Sequence, residues 1–199
     1  MRQFASPGFR LSNLGLEAKV LYTVFCFLTF LGIVSSALYY GDLVGAGTQG
    51  IRRYYAGHSD TARPPGPGPA GEGPSIQVPD DDAEAHAPIV VAASYRKLLE
   101  VTHFHLFTMP VVLLIVGHLL LATELGRRAK LAWIVAAAAS MVTHLATPWL
   151  VRYGSAALAP LHALGGAALT LTMSVLTIYP VVSMWGPKRS AAAAPAARS

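Results

Sequence analysis

The chain has 199 residues, 53% hydrophobic and 13% charged, whereas a soluble domain is about a quarter charged, so this composition excludes an ordinary soluble fold. Its net charge of +5 flanks apolar blocks and forms no single patch, which excludes a nucleic-acid partner. The single cysteine, Cys26, excludes a disulfide scaffold, covalent CxxCH haem, a cysteine-based zinc site and a cysteine-ligated iron–sulfur cluster.

A membrane-spanning helix needs about 20 mostly apolar residues at 1.5 Å each, and four segments qualify. Residues 1–19 form an N-terminal arm. Span 1, residues 20–40, reads VLYTVFCFLTFLGIVSSALYY and has no charge. Its Ser35-Ser36-Ala37 also fits a signal-peptidase site, but the apolar stretch exceeds a usual signal core and favours an uncleaved helix. Residues 41–97 form a long loop, which is Pro/Gly-rich with an acidic run, so it lacks the apolar surface to order itself over 58–92. His86 beside that run reads as a solvated loop histidine rather than a metal ligand. Before it, Gly50-Ile51-Arg52-Arg53-Tyr54-Tyr55 reads as a short amphipathic piece at the interface, with glycine counting against a helix.

Span 2 covers 98–123 and contains Pro110; a turn at 124–130 leads to span 3 at 131–151, which contains Pro148. A short turn at 152–156 precedes span 4 at 157–185, where Pro180 predicts a kink or an early end. The alanine-rich tail, 186–199, reads as disordered. Trp133, Trp149, Trp185, Tyr153 and Tyr179 near span ends match an aromatic belt.

Nine basic residues (Arg2, Arg10, Lys19, Arg127, Arg128, Lys130, Lys188, Arg189, Arg198) share one side with only Glu17 and Glu124. Six basic and eight acidic residues fall on the other. The positive-inside rule therefore predicts an all-α membrane protein with four transmembrane helices in an up-down bundle and both termini cytoplasmic. This is the topology of a bacterial inner-membrane protein with a periplasmic loop.

Ionisable groups inside a bilayer are costly and point to function. Helical rise places His103 and His105 of span 2, His144 of span 3 and His162 of span 4 within roughly 7–11 Å of the loop-side surface, in one layer. His118 lies about 22 Å below His103, alone in an inner layer. On a helical wheel Glu100, His103, Phe107, Leu114 and His118 form one stripe, with His105, Met109, Val112 and Val116 opposite. The polar stripe is therefore expected to face the bundle interior, with Glu100 and His103 handling protons.

In span 4, His162 is followed by Ala-Leu-Gly165-Gly166-Ala-Ala. In span 3, Ala136–Ala139, Ser140 and Thr143 lie beside His144. In this histidine placement spans 2–4 resemble the small membrane-bound b-type cytochromes, in which histidines on antiparallel helices hold haem between quinone and an external partner. The resemblance covers roughly half the chain and rests on no diagnostic motif. It implies an electron-transfer subunit with one haem b near the outer face, on His144 and His162, with His103 or His105 as substitute. The glycines would admit the porphyrin. A second, inner haem would need Met173 or a partner subunit to complete His118.

Two other readings compete. The same histidines, with Glu100 as ligand or outer base, suit copper or zinc. Alternatively they only join helices through hydrogen bonds, as in a structural or assembly subunit. The remaining methionines read as packing, Gly32–Ser36 as a helix-contact face, and Tyr39, Tyr40 and Asp42, at the rim of the histidine layer, as interfacial anchors in preference to hydrogen-bonding partners of the site. No phosphate loop, HExxH or GxSxG occurs, and the sequence assigns no reaction.

Overall fold

The computed structural model describes residues 10–45, 47–57 and 91–186. The start of the N-terminal arm, the Pro/Gly-rich loop with His86, and the alanine-rich tail lie outside the described residues, and with them the disorder expected there.

Four helices are long and apolar enough to cross a membrane, and the described residues contain no strand. They are α1 (Leu16–Val44), α3 (Tyr95–Leu121), α4 (Arg127–Trp149) and α5 (Ala159–Trp185), with a ten-residue helix, α2 (Gly47–Ala56), between the first two. The first span is longer at both ends than its uncharged stretch. Glu17, Lys19 and Asp42 interrupt the apolar run but not the helix, which at 29 residues is longer than a hydrocarbon core about 30 Å thick requires. Helix α3 starts where the Ser94 side chain accepts the Lys97 backbone N–H at 3.2 Å, a serine N-cap. Pro148 lies in the last turn of α4, which passes into a π turn at Leu150–Gly154. Pro180 does not end α5, which continues to Trp185.

Helix α5 is the hub and packs against α1, α3 and α4. The core is built from Val116 and Leu120 of α3, Ala137 and Met141 of α4, and Leu169, Met173 and Leu176 of α5. By contrast, only 6% of the apolar window of α1 is buried, against 39% for α5. A bilayer solvates such a surface, so exposed leucines and phenylalanines carry no penalty there.

The two ends of the bundle are closed differently. At the end away from α2, Leu11, Cys26, Leu119 and Met184 cluster. There Lys19 Nζ donates to the Met184 carbonyl at 2.8 Å, and Lys130 Nζ donates to the Leu121 and Thr123 carbonyls at 2.7 and 2.8 Å. A lysine on the last carbonyls of α3 satisfies groups that helix geometry leaves open. At the other end α2 forms a roof, burying Ile51 and Tyr55 against Val44, Leu98, Val151 and Ala159. Glycine makes the roof feasible. Gly45 and Gly47 take positive φ of 78° and 71° in the reversal, and a Cβ on Gly50 would overlap the Val44 carbonyl oxygen.

Candidate functional site

Beneath that roof, α4 and α5 bring two of the five membrane histidines together. The His144 and His162 rings stack with centroids 4.7 Å apart and planes 16° from parallel. The approach depends on glycine. A Cβ on Gly165 would lie 3.0 Å from Thr143 Cγ2 and 3.3 Å from the His144 backbone nitrogen, and one on Gly166 would lie 3.4 Å from His144 Nδ1. Small residues let membrane helices come into backbone contact, which is their use here.

Hydrogen bonding orients the deeper imidazole. Thr147 Oγ1 is 2.8 Å from the Thr143 carbonyl oxygen and 2.7 Å from His162 Nδ1. Both contacts are hydrogen bonds at once only if the hydroxyl donates to the carbonyl and His162 Nδ1–H donates to the hydroxyl. The lone pair of neutral His162 is then on Nε2. That nitrogen is buried without a partner, as are His144 Nδ1 and the Tyr40 hydroxyl, and these are the buried side-chain polar atoms without a partner among the described residues.

Aromatic rings complete the walls. The Tyr40 ring, from α1, is 5.8 Å from that of His162, and Tyr55, from α2, meets His162 edge-on at 5.2 Å. Burial, with the neighbouring phenols of Tyr40 and Tyr54, pushes the Tyr55 pKa well above the ordinary tyrosine value, so Tyr55 is a neutral lid. His162 itself is only 1% exposed.

His103 and His118 are not gathered here. Helix α3 presents Glu100, His103, Phe107, Leu114 and His118 outward and buries the side bearing Val116, the reverse of the orientation expected from the polar stripe. On that outward stripe Glu100 pairs with Lys97 at 3.5 Å in an exposed ion pair rather than reaching a histidine. His103 packs edge-on against Phe107 at 5.0 Å. His105, half-buried, has Nδ1 2.7 Å from the Val101 carbonyl, and His118 Nδ1 is 2.8 Å from that of Leu114. Met173 lies in the core, so it does not complete His118. Among the described residues no group of three or more His, Cys, Asp or Glu is placed to hold a metal ion.

A haem does not fit the His144–His162 pair in this arrangement. Stacked at 4.7 Å, the two rings leave no space between them for a porphyrin plane. The glycine face expected to admit a porphyrin is occupied by Thr143 and His144. Three site residues were not assigned from sequence: Tyr40 was read as an anchor, Tyr55 as part of an interfacial piece, and Thr147 was not singled out. Only Thr147 left a signal, three residues after His144 and so on the same helical face.

A family model described as a transmembrane helical domain matches residues 45–191, which takes in Tyr55, His144, Thr147 and His162 and leaves Tyr40 outside. No curated protein and no solved structure matches the chain.

Proposed function

The chain belongs to that transmembrane helical domain family, and from this premise we propose that it is a membrane protein binding a single copper(I) ion between His144 and His162, with Tyr40 beside them. The observation that carries the reading is that Tyr40 OH, His144 Nδ1 and His162 Nε2 are buried without a partner on three residues whose rings adjoin at His162. Native proteins rarely leave such atoms unsatisfied, and each one calls for an ion, a water or a ligand.

The chemistry of the donor set favours copper(I). Imidazole nitrogen suits copper and zinc alike, but a structural zinc ion takes four ligands in a tetrahedron. Two imidazoles match the low coordination number that copper(I) accepts, and binding would require the stacked rings to turn until both free nitrogens point at the ion. Charge favours the same choice, because the solvation penalty of burying an ion scales with the square of its charge and is about four times larger for a divalent ion. Among the described residues no carboxylate joins the pair in a group of metal-ligating side chains to offset it. Glu100 and His103, on the outward face, take no part in this reading, and neither haem nor quinone enters it. The orientation that accompanies it puts both termini in the cytoplasm of a bacterium and α2 at the periplasmic face, on the strength of the basic-residue count.

The test is elemental analysis of the full chain purified from copper-replete membranes. About one copper per chain is expected, lost in His144→Ala and His162→Ala and kept in His103→Ala and His118→Ala. Circular dichroism checks that the variants fold. Independently, X-ray absorption at the copper edge is expected to show imidazole scattering. Stoichiometric zinc in place of copper, haem bands that survive both alanine substitutions, or wild-type protein without metal would each refute the assignment. The last result would leave the histidines as helix-packing groups.

A further inference from the structure

We propose that the pocket on the solvent side of α2, lined by Gln49, Arg52, Arg53 and Gly57, binds the phosphate headgroup of an anionic phospholipid. The pocket encloses about 200 Å³. Its position follows from the amphipathic pattern of α2. Ile51 and Tyr55 are buried against the bundle, which turns Arg52 and Arg53 outward, where both are exposed.

Arg52 is held as well as exposed. Arg52 Nε–H donates to the Ala156 carbonyl at 3.1 Å, which fixes the guanidinium, and among the described residues its Nη groups have no acceptor. Arg152 nearby repeats the device, with Nε–H donating to the Ala93 carbonyl at 3.1 Å and the guanidinium over the Tyr153 ring at 5.3 Å. A planar, pre-oriented guanidinium fork matches two phosphate oxygens, a fit that lysine does not reproduce.

Depth identifies the source of the phosphate. Tyr54, Tyr95, Trp149 and Tyr153 surround this end of the bundle, and such amphipathic rings mark the headgroup level of a bilayer. Among the described residues this end carries Arg52, Arg53, Arg96, Lys97 and Arg152 against Asp42 and Glu100, and Lys97 and Glu100 pair with each other. At that depth the membrane itself supplies phosphate at high local concentration, and a headgroup with net negative charge meets the adjacent Arg52 and Arg53 better than a zwitterionic one.

Native mass spectrometry of the full chain, with phosphatidylglycerol or phosphatidylcholine titrated into the detergent, tests the proposal. One phosphatidylglycerol is expected to be retained in preference to phosphatidylcholine. Each arginine near an anionic surface contributes about five-fold in affinity, so Arg52→Gln with Arg53→Gln is expected to weaken retention about 30-fold. The same pair of changes at Arg127 and Arg128, on the opposite end, is expected to leave it unaltered. Lysine at 52 and 53 is expected to restore only part of the loss, a readout that a variant with a damaged fold would not give. Equal retention of the two lipids, or retention unaffected by the double glutamine change, would overturn the proposal. Displacement by millimolar inorganic phosphate would also overturn it, by identifying a free-anion site. Copper content is measured on the same samples, so lipid and metal binding succeed or fail separately.

Discussion

Thr147→Val is the most direct probe of how the histidine pair is held. Valine keeps the shape of threonine and removes only the hydroxyl that bridges the Thr143 carbonyl to His162 Nδ1, at 2.8 and 2.7 Å. The carbonyl loses little, since the helix supplies its usual backbone partner. The imidazole loses more, because its N–H is left unsatisfied in a residue that is 1% exposed. An orphaned buried donor generally costs about 1–3 kcal/mol. Interhelical hydrogen bonds in membranes average about 0.6 kcal/mol and reach about 1.7, because the separated helices also find partners. The expected loss is therefore about 1–2 kcal/mol, read by equilibrium unfolding in mixed micelles. A second effect follows from orientation. Without Thr147 neither the tautomer nor the rotation of His162 is fixed, and removing such an outer partner typically weakens metal binding by about 10–100-fold. Competition against a chromophoric copper(I) chelator measures that, and Thr147→Ser is expected to recover most of the affinity because the hydroxyl returns. Wild-type stability together with wild-type copper affinity in Thr147→Val would refute both the hydrogen-bond assignment and its consequence for the site.

Neighbouring glycines are expected to respond in opposite directions. Gly165→Ala must displace the α4 backbone, and overpacking of about 1–3 kcal/mol exceeds a helix-propensity gain of about 1, whereas Gly166→Ala meets the His144 ring at ordinary contact distance and is expected to be neutral or stabilising. Unfolding titrations giving the reverse order would contradict the packing described. Gly50→Ala collides with the Val44 carbonyl and should lift the roof, so hydrogen exchange of α2 amides is expected to rise at least about tenfold while the core of α5 stays protected. Tyr55 gives a pH dependence of known sign. Its folded-state pKa is raised, so its contribution is complete below the ordinary value of about 10 and declines as pH climbs above it; Tyr55→Phe is expected to remove that alkaline decline, and an unchanged decline would refute it.

The spans were legible because a bilayer imposes a length: four blocks of about 20 apolar residues have few other uses, and charged residues such as Glu17 and Asp42 only lengthen the helix beyond the block. The facing of α3 was not legible. In water a polar stripe and an apolar stripe assign themselves to outside and inside, but in lipid both environments are apolar and the rule loses its sign. Glu100, His103 and His118 could be grouped on one stripe by spacing, yet spacing does not say that Val116, Gly117 and Leu120 are the side that packs. Depth put His144 and His162 in one layer but put His103 and His105 there too, and it is the short turn joining two antiparallel helices that brings the first two into contact. Gly165 and Gly166 were legible as sites of close approach but not as to what approaches, and the occupant is α4 itself. Tyr55 precedes His162 by more than a hundred residues across a long loop, and no local pattern records their contact.

The placement of the site follows from how the bundle ends. Away from α2, lysines reach the backbone carbonyls directly and satisfy them. At the α2 end the polar side chains come from four elements, and each is held by packing rather than by its neighbour's charge: Tyr40 by α1, Tyr55 by the roof, His144 and His162 by the glycine contact. Such an arrangement satisfies Thr147 and one nitrogen of His162 but leaves a nitrogen on each imidazole and a phenol unpaired. If the histidines served only to join α4 and α5, the Thr147 bond and the ring stack would be enough, and apolar side chains in place of Tyr40 and His144 would be less costly. The unpaired atoms are an expense that a small ion bound among them would offset, whereas a porphyrin would have to separate the two helices first.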